Sequence, residues 1–111
     1  MIILIGFEEN EAKAIEDIDE VYMVSASLMD WKLSEIISKK PNVTYLKADT
    51  SRIVILHGVE NRKISPMIRE IRSRLTDHII FATSTPTSMK WTLKDLVKEL
   101  EEEDAYFRGR R

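Results

Sequence analysis

The sequence predicts a single α/β domain: one four-stranded, mainly parallel sheet in strand order 2-1-3-4, with helices on both faces. Three observations lead there. Short apolar runs alternate with segments of helical spacing in the order β-α-β-α-β-α-β-α, the pattern of strands joined by crossover helices. Two of those runs, Ile2-Ile3-Leu4-Ile5 and Ile53-Val54-Ile55-Leu56, are apolar throughout, as strands buried on both faces are. The chain also echoes itself. Ile3 to Glu8 resembles Ile55 to Glu60 at an offset of 52, and Met29-Asp30-Trp31-Lys32-Leu33 resembles Met89-Lys90-Trp91-Thr92-Leu93 at an offset of 60. These echoes point to a duplicated βαβα unit. Right-handed crossovers then give the order 2-1-3-4 if the halves meet through strands 1 and 3, a Rossmann-like arrangement. An antiparallel or ferredoxin-like assembly of the same elements stays open.

Met1 to Gly6 forms the first strand. Ala12, Ala14, Ile15 and Ile18 follow at helical spacing, with Asn10 as N-cap and acids in the first turn, where the helix dipole favours them. Val21 to Val24 is the second strand. Met29, Leu33, Ile36 and Ile37 make a helical stripe ended by Lys39-Lys40-Pro41. Residues 42–52 read equally well as a short edge strand, with Val43, Tyr45 and Lys47 alternating, or as a loop. Ile53 to Gly58 is the third strand. Ser65-Pro66 marks the third helix start, serine as cap and proline at the first position, with Ile64, Met67, Ile68, Ile71 and Leu75 as its apolar stripe. His78 to Thr83 is the fourth strand, and Leu93, Leu96, Val97 and Leu100 carry the last helix. The domain spans residues 1–104, and 105–111 form a basic tail.

At 111 residues the chain can bury one core without staples. It has no cysteine, so disulfides, thiolate metal sites and cysteine nucleophiles are excluded. The opening apolar run is too short for a signal sequence, and no run nears the ~20 apolar residues of a membrane span. A cytoplasmic protein is expected. The net charge of −2 is unevenly spread. Residues 1–20 carry seven acids against Lys13 alone, and 61–76 carry five bases against Glu70 alone. That polarity suits head-to-tail association, or it reflects two solvated helix faces. A nucleic-acid role would rest on Arg62, Arg69, Arg72 and the Arg108–Arg111 tail, but a pI near 5.7 argues against it.

The strand ends Gly6-Phe7-Glu8-Glu9 and His57-Gly58-Val59-Glu60-Asn61 would flank a crevice if strands 1 and 3 ran parallel, where open α/β sheets bind ligands. Candidate ligand-binding residues are therefore Gly6, Glu8, His57, Gly58, Glu60 and Asn61. Thr83, Thr85 and Thr87 join them, because a hydroxyl-rich turn before a helix can present amides to an anion. Each has a plainer reading: the glycines as tight turns, the acids as first-turn residues, the hydroxyls as caps. Thr92 and Asp95 have capping-box spacing, and Trp91 can staple onto Leu96. Trp31 repeats the device against Ile36. No catalytic constellation, metal site or cofactor motif is present. The leading expectation is a non-catalytic binding or regulatory module that self-associates or takes a protein partner. The alternative is a small enzyme or anionic-metabolite binder using the crevice.

Ile80-Phe81-Ala82, Thr85-Pro86-Thr87 and Trp91-Thr92-Leu93-Lys94-Asp95-Leu96 resemble the closing signature of a prokaryotic domain family of unknown function, numbered 3783. Gly6-Phe7 and Gly58 also fit it, so the resemblance spans about residues 2–104 and is strongest at 79–100. Ser88 departs from the family's asparagine, and the Arg108–Arg111 tail lies outside the pattern. The resemblance implies one domain in which Pro86, Trp91, Thr92 and Asp95 matter, with Trp31 as the internal echo. It implies no reaction.

Overall fold

A computed structural model of the chain describes residues 1–109. The strands are β1 (Ile2–Ile5), β2 (Val21–Met23), β3 (Ile53–Leu56) and β4 (Ile80–Thr83). The helices are α1 (Glu9–Ile15), α2 (Leu33–Lys39), α3 (Asn61–Arg74) and α4 (Leu93–Gly109). The sheet order is β2-β1-β3-β4. β1 and β3 are apolar at every position because both their faces are covered. Ile2, Leu4, Val54 and Leu56 pack with Ile15 and Ile71 under α1 and α3. Ile3, Ile5, Ile53 and Ile55 pack with Leu33, Ile36, Leu93, Leu96 and Val97 under α2 and α4.

The sheet is mixed, not mainly parallel. β1 pairs with β2, and β3 with β4, in parallel, but β1 and β3 run antiparallel, with Ile2 opposite Leu56 and Ile5 opposite Ile53. The segment that was ambiguous in the sequence decides this. Residues 40–52 form neither strand nor helix. They make a strap that runs beside β2 in β2's own direction and delivers the chain to the carboxyl end of β1, where β3 must start. Tyr22 donates its hydroxyl to the Pro41 carbonyl at 2.6 Å. Ser25, 1% exposed, donates to the Thr44 carbonyl at 3.1 Å and accepts from the Leu46 amide at 3.0 Å. The Ala26 amide donates to the Leu46 carbonyl at 2.7 Å. Tyr45 then reaches the Phe7 carbonyl, and Ala48 is buried.

Gly6 and Gly58 both turn with positive φ, +81° and +68°, a region that side chains resist. Two helix starts differ from expectation. Glu8, not Asn10, caps α1, and its amide donates to the Glu11 carboxylate at 2.9 Å. α3 starts at Asn61, so Pro66 lies within it on the exposed side, lacking the N–H that a helical residue would donate there.

The two halves repeat each other's hydrogen bonds at the sequence offsets. The Val24 amide donates to Leu4 O and the Ser84 amide to Leu56 O, at 2.9 and 3.0 Å. The Trp31 amide bonds Leu28 O and the Trp91 amide bonds Ser88 O. The halves also clasp reciprocally: Leu93 N donates to Trp31 O at 2.8 Å, and Leu33 N to Trp91 O at 3.1 Å. Lys32 and Thr92 thereby form a single antiparallel bridge.

Candidate functional site

Antiparallel pairing of β1 and β3 sends their carboxyl ends to opposite ends of the strands, so the crevice expected between them does not form. Glu8 lies at one end, where it pairs with Lys47 at 3.1 Å. It belongs to a charged recess in which Arg52 is clasped by Glu11, Asp77 and the Thr76 carbonyl and lies 5.0 Å from the Phe7 ring. Gly6 sits under the strap: a Cβ there would stand 2.7 Å from the Ser51 carbonyl. At the other end His57 brackets Met1, donating its amide to Met1 O and accepting the Met1 nitrogen at its own carbonyl, both at 2.9 Å. Its Nδ1 lies 2.8 Å from Ser84 Oγ. Gly58 is exposed with open space around it. Glu60 caps α3, paired with Arg62 at 2.9 Å and Lys63 at 3.6 Å, and the Arg62 hydrogen bond lowers its pKa. Asn61 is the exposed first residue of that helix. Among the described residues no three or more His, Cys, Asp or Glu side chains are grouped to hold a metal.

The structure opens a different site, along β4. A groove of about 540 Å³ runs between β4, the turn that follows it and α4. Ile55, Phe81, Ala82, Trp91, Leu96 and Leu100 give it an apolar floor. Thr83, Thr85, Thr87 and Ser88 line one end, and Glu99 and Glu103 the rim. A second recess, walled by Arg72, Ile80, Phe81, Leu100 and Phe107, continues it along the same strand. The guanidinium of Arg72 lies 4.9 Å from the Phe81 ring. Of the residues singled out from the sequence, Thr83, Thr85, Thr87 and Trp91 meet here, and Gly6, Glu8, His57, Gly58, Glu60 and Asn61 do not.

Local chemistry shapes the groove. Thr85 and Ser88 exchange bonds within the turn, Thr85 N donating to Ser88 Oγ at 2.8 Å and Ser88 N to Thr85 Oγ1 at 3.0 Å. Pro86 is exposed within it. Thr92 Oγ1 accepts from Asp95 N at 3.4 Å, which is half of a capping box. The first half of the chain shows the other half of the box, with Lys32 N donating to the Glu35 carboxylate at 2.9 Å. Both tryptophans are half-buried against the same core.

A small residue, Ala82, lines the groove on β4. At the offset of 60, Ala82 corresponds to Tyr22. Tyr22 packs against the α2 side of the sheet and reaches the Pro41 carbonyl, and burial raises its pKa. Ala82 carries a methyl group where Tyr22 carries a ring, so the corresponding space beside α4 is left empty. The contrast of Tyr22 with Ala82 at that offset is the sequence signal that points to the site.

β4 is also an edge strand. Ile80 N donates to Arg52 O at 2.9 Å and Ser84 N to Leu56 O at 3.0 Å. Alternate residues of a strand face opposite edges, so the backbone groups of Phe81 and Thr83 point outward into the groove. No described residue hydrogen-bonds to them. The fold and site thus define a small mixed α/β domain with one side of its sheet open. The chain belongs to the family described as domain of unknown function (DUF3783), whose profile it matches over residues 52–107. That match covers β3 to α4, the half that holds the groove. No curated protein and no solved structure gives a significant match. No helix among the described residues is long and apolar enough to cross a membrane.

Proposed function

We propose that this protein is a non-catalytic binding module that self-associates through the open edge of β4, and that its two halves descend from one duplicated βαβα unit. The observation that carries the functional reading is the outward backbone of Phe81 and Thr83 beside an empty apolar groove. An unpaired strand edge is a template for another strand, and a peptide added there gains main-chain bonds and a pocket for alternate side chains. The duplication rests on the matching hydrogen bonds at offsets of 52 and 60. The rim chemistry speaks against an anionic metabolite, because Glu99 and Glu103 would repel it.

Sedimentation velocity over a series of protein concentrations tests the reading. The expected result is a weight-average mass that rises with concentration, together with slowed amide exchange at Phe81 and Thr83. Ala82→Tyr refills the groove as Tyr22 does in the other half, and it is expected to abolish association while keeping the circular dichroism spectrum. A monomer at every concentration overturns the self-association.

A further inference from the structure

Resting on that reading, we infer that the occupant of the β4 groove is the strap beside β2 of a second copy, so that the molecules associate head to tail and extend the sheet. The strap and the groove lie at opposite edges of the sheet. In each molecule the strap already flanks the β2 edge, held by the Tyr22 hydroxyl and, just past the end of the strand, by Ser25 and Ala26. No described segment plays that part beside β4.

The exposed apolar residues fall on the same two edges. Among the described residues the exposed large hydrophobics are Val43 (43%) and Leu46 (59%) on the strap, and Tyr106 (60%) and Phe107 (64%) near the end of α4. Phe107 walls the recess on β4. A translated copy would bring Val43 and Leu46 onto that recess and groove. β2 and β4 point in opposite directions within the sheet, so the arriving strap would run antiparallel to β4, the geometry that suits a strand added at an edge.

Charge discriminates this arrangement from symmetric pairing of β4 with β4. Residues related by the repeat carry opposite charges on the two flanks: Lys39 against Glu99, Glu16 against Arg69, and Asp19 against Arg72. Head-to-tail contact sets Glu99 and Glu103 of one copy toward Lys39 of the next, and Arg69 and Arg72 toward Glu16 and Asp19. A two-fold β4–β4 contact sets the acidic rim against itself and the arginines against themselves, and like-charge juxtaposition is costly at an interface. A heterologous contact that does not close also makes open chains of molecules rather than dimers.

The absence of native cysteine gives a direct test. Val43→Cys and Thr83→Cys are made separately in the full chain, both at exposed positions. Mixed under mild oxidation, the two variants are expected to form a disulfide-linked heterodimer, and the double variant a ladder of covalent oligomers. Charge exchange supplies the second measurement. Arg69→Glu is expected to weaken self-association roughly tenfold, and adding Glu16→Arg in the same chain to restore it. Cross-linking of Thr83→Cys with itself and not with Val43→Cys means symmetric pairing and overturns the head-to-tail inference while leaving self-association intact. Association without either cross-link, or without charge rescue, overturns it as well. A monomer in sedimentation removes the underlying reading too.

Discussion

Gly6 and Gly58 look equivalent in the sequence, since each closes an apolar strand, yet their surroundings differ. Both have positive φ, but a Cβ on Gly6 would meet the Ser51 carbonyl and Thr50, whereas one on Gly58 meets nothing within 4 Å. Alanine in a left-handed conformation costs roughly 1–2 kcal/mol. Gly58→Ala should therefore lower stability by about 1 kcal/mol, and Gly6→Ala by about 3 kcal/mol or more, because the strap's backbone must also move. Urea titrations of the two variants check the difference, and equal losses would mean that the strap yields freely. Tyr22 and Ala82, 60 residues apart, make the opposite lesson: the space at one is filled and at the other is left open. The residue types were legible, but the void beside Ala82 was not. A methyl group says nothing about its neighbours until the sheet sets it beside Trp91 and Leu100.

At the scale of elements, the strap does what no periodicity announced. Its hydrogen bonds run through Ser25, the one buried polar residue among those described. Ser25→Ala leaves the Leu46 amide and the Thr44 carbonyl without that partner, which should cost about 1–3 kcal/mol and raise proteolytic nicking within residues 42–47. Unchanged nicking would show that Tyr22, Tyr45 and the Ala26–Leu46 backbone bond hold the strap without Ser25. The strap also explains why strand direction was misread. β1 and β3 are buried on both faces by helices, and a continuous apolar run looks the same whether its neighbour runs parallel or antiparallel. Direction is set by where the connection ends, and residues 40–52 carry no pattern that reveals it. The helix starts were better signalled: Trp91-Thr92 and Asp95 do launch α4. Pro66 misled because a proline at the first position and one on an exposed helical face are hard to tell apart in sequence.

For the whole molecule, the ion pairs at the edges make acid stability predictable in sign. The Arg74 hydrogen bond lowers the pKa of Asp17 below its ordinary 3.8. Burial opposes the same shift at Asp19, but the Glu20 amide and the Met1 nitrogen outweigh it, so its pKa is lowered too. A carboxylate with a depressed folded pKa contributes stability that is complete above its unfolded value and is lost as pH falls through the folded one. The urea midpoint should therefore be level from neutral pH to about pH 5 and drop below about pH 4. Asp17→Asn should soften the drop, and an unaltered acid limb would exclude that pair from the transition. The association proposed above also draws on charges at the two edges, Asp19 among them, so added salt should weaken both it and these ion pairs.

The sequence by itself determined the number and order of the elements, the two covered faces, the glycine turns and the tryptophan-led starts of α2 and α4. Each of these follows from local periodicity, backbone freedom or capping, and such signals sit within a few residues of their cause. The tertiary structure alone decided that β1 and β3 run antiparallel, that the glycine-closed strand ends lie apart, and that the open space is on the flank of β4. Those outcomes depend on where a patternless strap ends and on β4 carrying a methyl group at Ala82 where β2 carries a ring at Tyr22. Both are relations between residues tens of positions apart, which packing settles and spacing does not.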